Sequence, residues 1–375
     1  MKSFFAADKK YGSKDRKQIS HLCYCFFRTG KIFSKLDLRN DEALKESILT
    51  GYFLCSAQPC ALLEQLMPGS NEYVHLSLEQ KCAFAKTNSK YIPADVLIDP
   101  LLVFPWKEAQ SNTIDHAAFC ASFFVQPDLF IRIRPGYQNK VEHALTAAQI
   151  TYADMGNGCI ALPNHTKIDE LLEVDKEVVI QDVSSQRTAV LLQSIAIAKK
   201  MEVWDCCAAS GGKSILAKDV LNNITLTVSD IRPSILSNLA KRFTRAGIQY
   251  YKSSVIDLSV NYVSVPGSFY DLVICDAPCS GSGTWSRTPE QLFCFQYERI
   301  EHYQSLQKKI VSNALPAVKK GGHLLYITCS VFKQENEEVV NEIIKINNMQ
   351  LVEMKILKGY NEKADSMFAA LLQKT

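Results

Sequence analysis

From residue 183 onward, short apolar strands alternate with helices, and this alternation constrains the fold of the 375-residue chain more than any other feature. MEVWDC (201–206) reads as a strand ending in a Gly-bearing turn. GKSILAKDVL reads as a helix, NITLTVSD as a strand, and PSILSNLAKRFTRAG as a helix closed by Gly247. Glycine suits that place because a helix often ends in a left-handed residue. YYKSSVID and FYDLVICD (269–276) are further strands. A helix near 303–318, Gly321-Gly322 and the strand HLLYITC follow. Strands spaced by helices cannot pair as tight hairpins and form a mostly parallel, doubly wound α/β sheet. Ligands of such sheets sit at the carboxyl ends of the strands.

The first third of the chain has another character. Residues 20–125 carry apolar side chains at helical spacing, as in DEALKESILTGYF (41–53) and AQPCALLEQL (57–66), with no alternating strand pattern. DLFIRIRP (128–135) then alternates as a strand does, Tyr137 to Ala148 reads as a helix, and EVVIQD (177–182) as a strand. The expected division is a helical, basic domain over 1–125, a small α/β subdomain over 126–182 and the doubly wound domain over 183–375.

Hydrophobic residues make up 47% and charged residues 22%, which fits a globular chain rather than a disordered one. No stretch approaches the roughly 18 uninterrupted apolar residues of a membrane span, and MKSFFAADKKYGSKDRK lacks the pattern of a secretory signal. A cytoplasmic protein with no membrane partner is expected. Net charge is only +3, but residues 1–35 hold nine Lys/Arg against Asp8 and Asp15. Such a segment either binds polyanions or is a solvated basic tail. Thirteen cysteines, an odd number without a signal peptide, do not suggest a disulfide framework. Cys23-x-Cys25, Cys55-x4-Cys60, Cys206-Cys207 and Cys275-x3-Cys279 match no zinc pattern, so no metal is expected.

Asp205-Cys206-Cys207-Ala208-Ala209-Ser210-Gly211-Gly212-Lys213-Ser214 joins a strand to a helix. Small residues there let a ligand approach the backbone, and the helix start favours negative charge. A triphosphate loop would need Gly at the position of Cys207. A nucleoside-cofactor loop or a plain tight turn remains. Asp230 ends the next strand, 25 residues after Asp205. An acid at about that distance is placed to accept from ribose hydroxyls, and this favours the cofactor reading over a simple helix cap. Asp257, after the third strand, could accept from an adenine amino group. Asp276-Ala277-Pro278-Cys279 and Thr328-Cys329-Ser330 follow the fourth and fifth strands, which brings two cysteines to the same sheet edge. A thiol there can act as a nucleophile when its proton is lost.

VWDCCAASGGKS, DAPCSGSG and LLYITCSVFKQENEE together resemble the motifs of the Sun-domain (Fmu-type) RNA cytosine-C5 methyltransferases. RAG (245–247), LQKKI (306–310), DSMFAALL (365–372) and QDVSSQ (181–186) are lesser matches. The likeness runs from about 128 to 375. The leading helical domain is similar to the NusB-like, RNA-binding extension of the bacterial member that modifies small-subunit ribosomal RNA.

The resemblance implies a Rossmann-like class I methyltransferase domain whose last strand is antiparallel. S-adenosylmethionine would lie over Cys207, Ala208, Ala209, Ser210, Gly211, Gly212 and Lys213. Asp230 would hold its ribose, Asp257 its adenine, and Asp276 would stand between cofactor and base. Cys329 matches the family nucleophile and Cys279 the cysteine of product release. Ser210 replaces the usual Pro, which loosens the loop, and Ser214 replaces Thr. The partner would be RNA, with small-subunit ribosomal RNA preferred and the chain acting as a monomer. Arg132 and Arg134 would hold phosphates. The same chemistry on transfer RNA, and a non-catalytic assembly factor on this scaffold, are the alternatives. DNA is disfavoured because Thr328-Cys329 accompanies Pro278-Cys279.

Overall fold

A computed structural model describes residues 2–7, 10–195, 200–260, 269–346 and 348–375. Asp8 and Lys9 of the basic segment lie outside the described residues. The chain divides into two compact units. The smaller holds 1–108, 115–126 and 285–296, and the larger holds 109–114, 127–284 and 297–375.

The smaller unit is helical. Its main helices are Ser13–Arg28, Asp41–Cys55, Leu78–Asn88 and His116–Ser122, with Pro289–Cys294 added from the late segment. Their starts are legible. The Asn40 side chain accepts from the Glu42 and Ala43 amides, and Ser77 with Gln80 forms a reciprocal cap. Phe33, Phe53, Phe104, Phe123 and Trp285 are fully buried here. Two of the nine early cations serve this packing. Arg28 donates to Phe123 O, Val125 O and Gln126 Oε1, and Lys31 donates to Phe293 O and Phe295 O. Lys10, Lys14, Lys17 and Lys35 remain exposed.

The larger unit contains two sheets. The first is antiparallel, with strands β1 (Leu129–Ile133), β2 (Ala153–Gly156), β3 (Cys159–Leu162) and β4 (Val178–Ile180) in the order β2-β3-β1-β4. The second comprises β5 (Met201–Asp205), β6 (Ile224–Asp230), β7 (Tyr251–Val255), β8 (Tyr270–Asp276), β9 (Val318–Thr328), β10 (Met349–Leu357) and β11 (Met367–Lys374). Its order is β10-β11-β9-β8-β5-β6-β7, and only β11 runs against its neighbours. The expected doubly wound fold with an antiparallel last strand is the observed one. Alternating side chains feed two cores. Val203, Ile274, Leu325 and Ile327 pack on one face, and Trp204, Val273 and Tyr326 on the other.

Differences from the expected elements have local causes. The helix placed at 303–318 runs Arg299–Ala314 and yields to a single tight turn at Leu315–Ala317, because Pro316 has no N–H to continue it. The strands β2, β3 and β10 were not legible. β2 is short and mostly exposed, and β10 is an edge strand interrupted by a bulge between Leu351 and Glu353.

Arg132 and Arg134 need correction. They do not offer their charges to RNA. Arg132 pairs with Asp219 at 2.6 Å and with Gln181, and Arg134 pairs with Asp219 at 2.8 Å and with the carbonyls of Asp175 and Ala246. Asp219 lies on the helix Gly212–Leu221, so the two arginines tie the small sheet to the large one. The alternation that marked them as strand residues gave no sign of which face would be covered.

Candidate active site

Register brings the functional residues to one edge. Asp205 pairs with Val228 of β6 and Ile274 of β8, Asp230 with Val255 of β7, and Asp276 with Ile327 of β9. The segments after Asp205, Asp230, Asp276 and Thr328 therefore leave the sheet together, at its carboxyl edge.

The first of these segments is a strained turn. Ala209 has φ +45° and Gly211 φ +86°. A side chain at Gly211 would stand 2.7 Å from the Phe243 ring, so both the positive φ and the close approach demand glycine. Three contacts hold the turn. The Ala208 amide donates to Ser229 O and the Ala209 amide to Asp230 Oδ2. Arg242 donates to Ser210 O and Ser210 Oγ, and is itself paired with the buried Asp175 at 2.7 Å. Ser210, where the resembled family has proline, thus gains a clamp in place of ring stiffness.

Asp205 is fully buried. Its Oδ2 accepts from Ser214 Oγ at 2.6 Å, and its Oδ1 has no hydrogen-bond partner among the described residues. Burial, only partly opposed by Ser214, pushes its pKa up to about 7. Asp230 behaves in the opposite way. Burial would raise it, but Arg232, the Arg232 amide and the Ala209 amide hold the carboxyl below its ordinary value. Asp257 accepts from the Ser259 hydroxyl and amide, which also hold it low.

A cavity of about 460 Å3 opens between these residues. Cys207, Ala209, Asp230, Asp257 and Asp276 line it, with Ile231, Ile256 and Leu258 as its apolar wall. Ala208, Ser210, Gly211, Gly212 and Lys213 support the cavity without lining it. Lys213 takes a different place from the one expected. Its ammonium bonds Asp276 Oδ2 at 3.0 Å and Ser185 Oγ at 2.7 Å, so it joins the first helix of the large sheet to the end of β8.

Cys279 and Cys329 meet at this edge. Their sulfurs are 3.3 Å apart and half-buried. That distance is a hydrogen bond between thiol groups, not a disulfide. The contact with Cys329, together with burial, pushes the Cys279 thiol well above its ordinary pKa. In the contact between the two thiols either sulfur can be the donor.

Sequence reasoning gave no role to Glu335, although QENEE was quoted for its likeness. Glu335 is fully buried and accepts from the Ser280 amide (2.8 Å), Ser280 Oγ (2.5 Å), Ser330 Oγ (2.5 Å) and Gln307 Nε2 (3.0 Å). Its neighbour Asn336 accepts from Thr328 Oγ1 and donates to Ser330 O. Acid–amide–acid at the start of an apolar helix was the available signal. At Gly283 an added Cβ would fall 1.9 Å from Ser366 O, so the Cys279 loop also requires glycine there. The fold gathers a further group that linear spacing hides: the sulfurs of Cys206, Cys207 and Cys275 all lie within 4.8 Å of one another.

Residues 194–372 match the family described as 16S rRNA methyltransferase RsmB/F. The probable ribosomal RNA small subunit methyltransferase B of Bacillus subtilis is 27% identical over 60% of this chain and 51% of its own length. The 28S rRNA (cytosine-C(5))-methyltransferase of Mus musculus is 32% identical over 43% of this chain and 21% of its own. The chain thus spans about half, or less, of the curated relatives it matches. Among solved structures, that of PH0851 is 19% identical with a TM-score of 0.71, covering 100% of this chain and 93% of that one. A methyltransferase homolog protein from Pyrococcus horikoshii is 19% identical with a TM-score of 0.58, covering 69% and 90%. At these identities the two structures bear on the fold alone.

Proposed function

We propose, from the match of residues 194–372 to the RsmB/F methyltransferase family, that the protein methylates C5 of a cytosine in ribosomal RNA, with S-adenosylmethionine as donor and the small subunit as the preferred substrate. The observation that carries this reading is the pair of cysteine sulfurs, 3.3 Å apart, at the sheet edge that also holds Asp276 and the cavity.

The cavity fits the cofactor. Two of its three carboxylates, Asp230 and Asp257, can accept from ribose hydroxyls and an adenine amino group, and its apolar wall suits a purine ring. Asp230 would serve the ribose by releasing Arg232, whose side chain is 57% exposed and free to turn outward. Asp257 would serve the adenine. S-adenosylmethionine supplies an electrophilic methyl group.

C5 of cytosine is a weak nucleophile within an aromatic ring. Cys329 as thiolate would add to C6, forming an S–C bond and moving the ring electrons toward C5; S-adenosylmethionine, when bound, would supply the methyl group to C5 and leave as S-adenosylhomocysteine. The C5 proton then passes to solvent, its bonding pair re-forms the C5–C6 double bond, and the S–C bond breaks to return Cys329 as thiolate and the 5-methylcytosine. The Cys279 thiol, 3.3 Å away, stabilises the Cys329 thiolate and supports its departure. Asp276, oriented through Lys213, hydrogen-bonds the base at N3 or its amino group while electrons move. The cytosine must be unpaired or flipped out to reach these groups.

The helical unit, with Lys10, Lys14, Lys17 and Lys35 exposed, is read as the RNA-holding domain. Such cations bind phosphates without reading sequence. The chain is read as a cytoplasmic monomer; no helix among the described residues is long and apolar enough to cross a membrane.

The test is transfer of labelled methyl to unmodified ribosomal RNA and transfer RNA offered separately, followed by digestion to nucleosides. Label in 5-methylcytidine from ribosomal RNA is expected, and Cys329→Ala should reduce it at least a thousandfold. Label from transfer RNA alone would replace the substrate. No label from either, with no cofactor binding by calorimetry, would overturn the enzyme reading.

A further inference from the structure

Cys279 and Cys329 come from loops 50 residues apart in sequence. Neither loop is regular, so the 3.3 Å sulfur contact needs something to hold the loops together. Backbone supplies part of this, through the Gly283 amide on Cys329 O. The side-chain link is Glu335. One of its oxygens accepts from Ser280, beside Cys279, and also from Ser330, beside Cys329. The other accepts from the Ser280 amide and from Gln307, which in turn donates to Pro278 O on the far side of Cys279. The carboxylate is 0% exposed, and water cannot replace these donors.

We infer that Glu335 is a positioning residue that sets the separation of the Cys279 and Cys329 sulfurs. Its carboxylate accepts from the serine that neighbours each cysteine and acts through those serines. A carboxylate suits the task because it only accepts, and every group facing it donates. Glutamine in its place keeps the shape but turns one acceptor into a donor, so two of the four donors lose their acceptor. Burying a charge for packing alone would be a poor exchange, since an apolar side chain fills the same space at less cost. The inference rests on the proposed function only where activity is read.

The sulfur separation can be read without RNA. Diamide accepts two electrons and two protons from two thiols, becoming a hydrazine as the S–S bond forms. Its rate of closing Cys279–Cys329, followed by quenching and peptide mass mapping, reports how often the sulfurs approach. Glu335→Gln should slow closure at least tenfold at a temperature where it is folded, and Ser330→Ala should slow it less. Val339→Ala, a buried change in the following helix, should lower stability and leave the rate unchanged. In the methyl-transfer assay Glu335→Gln should lose turnover while its calorimetric affinity for S-adenosylmethionine stays the same. Closure at the wild-type rate in both Glu335→Gln and Ser330→Ala overturns the inference. If Glu335→Gln does not fold, the Ser330→Ala rate decides alone. A wild-type protein that methylates no RNA would sink the proposed function and leave the closure rates to judge Glu335.

Discussion

Asp205 and Glu335 are both completely buried carboxyls at the working edge of the large sheet, and they live under opposite terms. Asp205, under the cofactor loop, has one donor and an oxygen without a partner among the described residues. Glu335, under the cysteine loops, has four donors on two oxygens. The surroundings differ in the same way. The cofactor loop is held by groups partly open to water, Arg232 and Arg242, whereas the cysteine loops are held by serine hydroxyls and a buried acid. Under the proposed function, the side that admits and releases S-adenosylmethionine needs clamps that open. A side that holds two sulfurs in contact needs clamps that do not.

The comparison can be broken most sharply with glycines. Gly283→Ala places a methyl against Ser366 O in a region with no room to yield, and should destabilise the protein by about 3 kcal/mol or more, seen as a fall in the urea midpoint. Next comes the pH dependence of Asp205. With a folded pKa of about 7 against roughly 3.9 when unfolded, its favourable contribution is complete below pH 4. It is lost as pH rises to 7, because the unfolded chain releases the proton first. Asp205→Asn should remove that slope. The stability difference between variant and wild type should therefore shift by about 2 kcal/mol in the variant's favour from pH 5 to pH 7. An unchanged difference would show that Asp205 is ionised in the folded protein.

Smaller effects should fall on the cofactor side alone. Arg242→Ala frees Ser210 while Asp175 keeps Arg245, so cofactor affinity by calorimetry should drop about tenfold, near 1.4 kcal/mol, with the diamide closure rate untouched. A matched fall in closure would mean that the two sides are one mechanical unit. Gly212→Ala meets nothing within 4 Å and lies in the first turn of its helix. Thermal melting should show a change below about 1 kcal/mol, with helix propensity favouring alanine.

Much of the site was legible because it is built from strand ends. Asp230, Asp276 and Cys329 each follow an apolar run that could only be a strand, and the parallel arrangement then forces them to one edge. The roles of Lys213, Arg242 and Glu335 were not legible. Each depends on a partner far along the chain: Asp276 lies 63 residues from Lys213, Asp175 lies 67 from Arg242, and Ser280 lies 55 from Glu335. Arg132 and Arg134 illustrate the reverse error. Alternation correctly marked a strand, but a charge on a strand reads as exposed until the element that covers it is known.

The order of apolar, small and turn-forming residues by itself determined the alternation of strands and helices, the strained turn at Ala209 and Gly211, and the edge on which two cysteines and three aspartates emerge. Those properties follow from local backbone preference and from the one handed way a strand, helix and strand can pack. Tertiary structure alone decided which charges are buried, which oxygens are satisfied, and how near the two sulfurs come. Burial and hydrogen bonding depend on donors brought from distant segments, and a few ångströms separate a satisfied carboxylate from an isolated one.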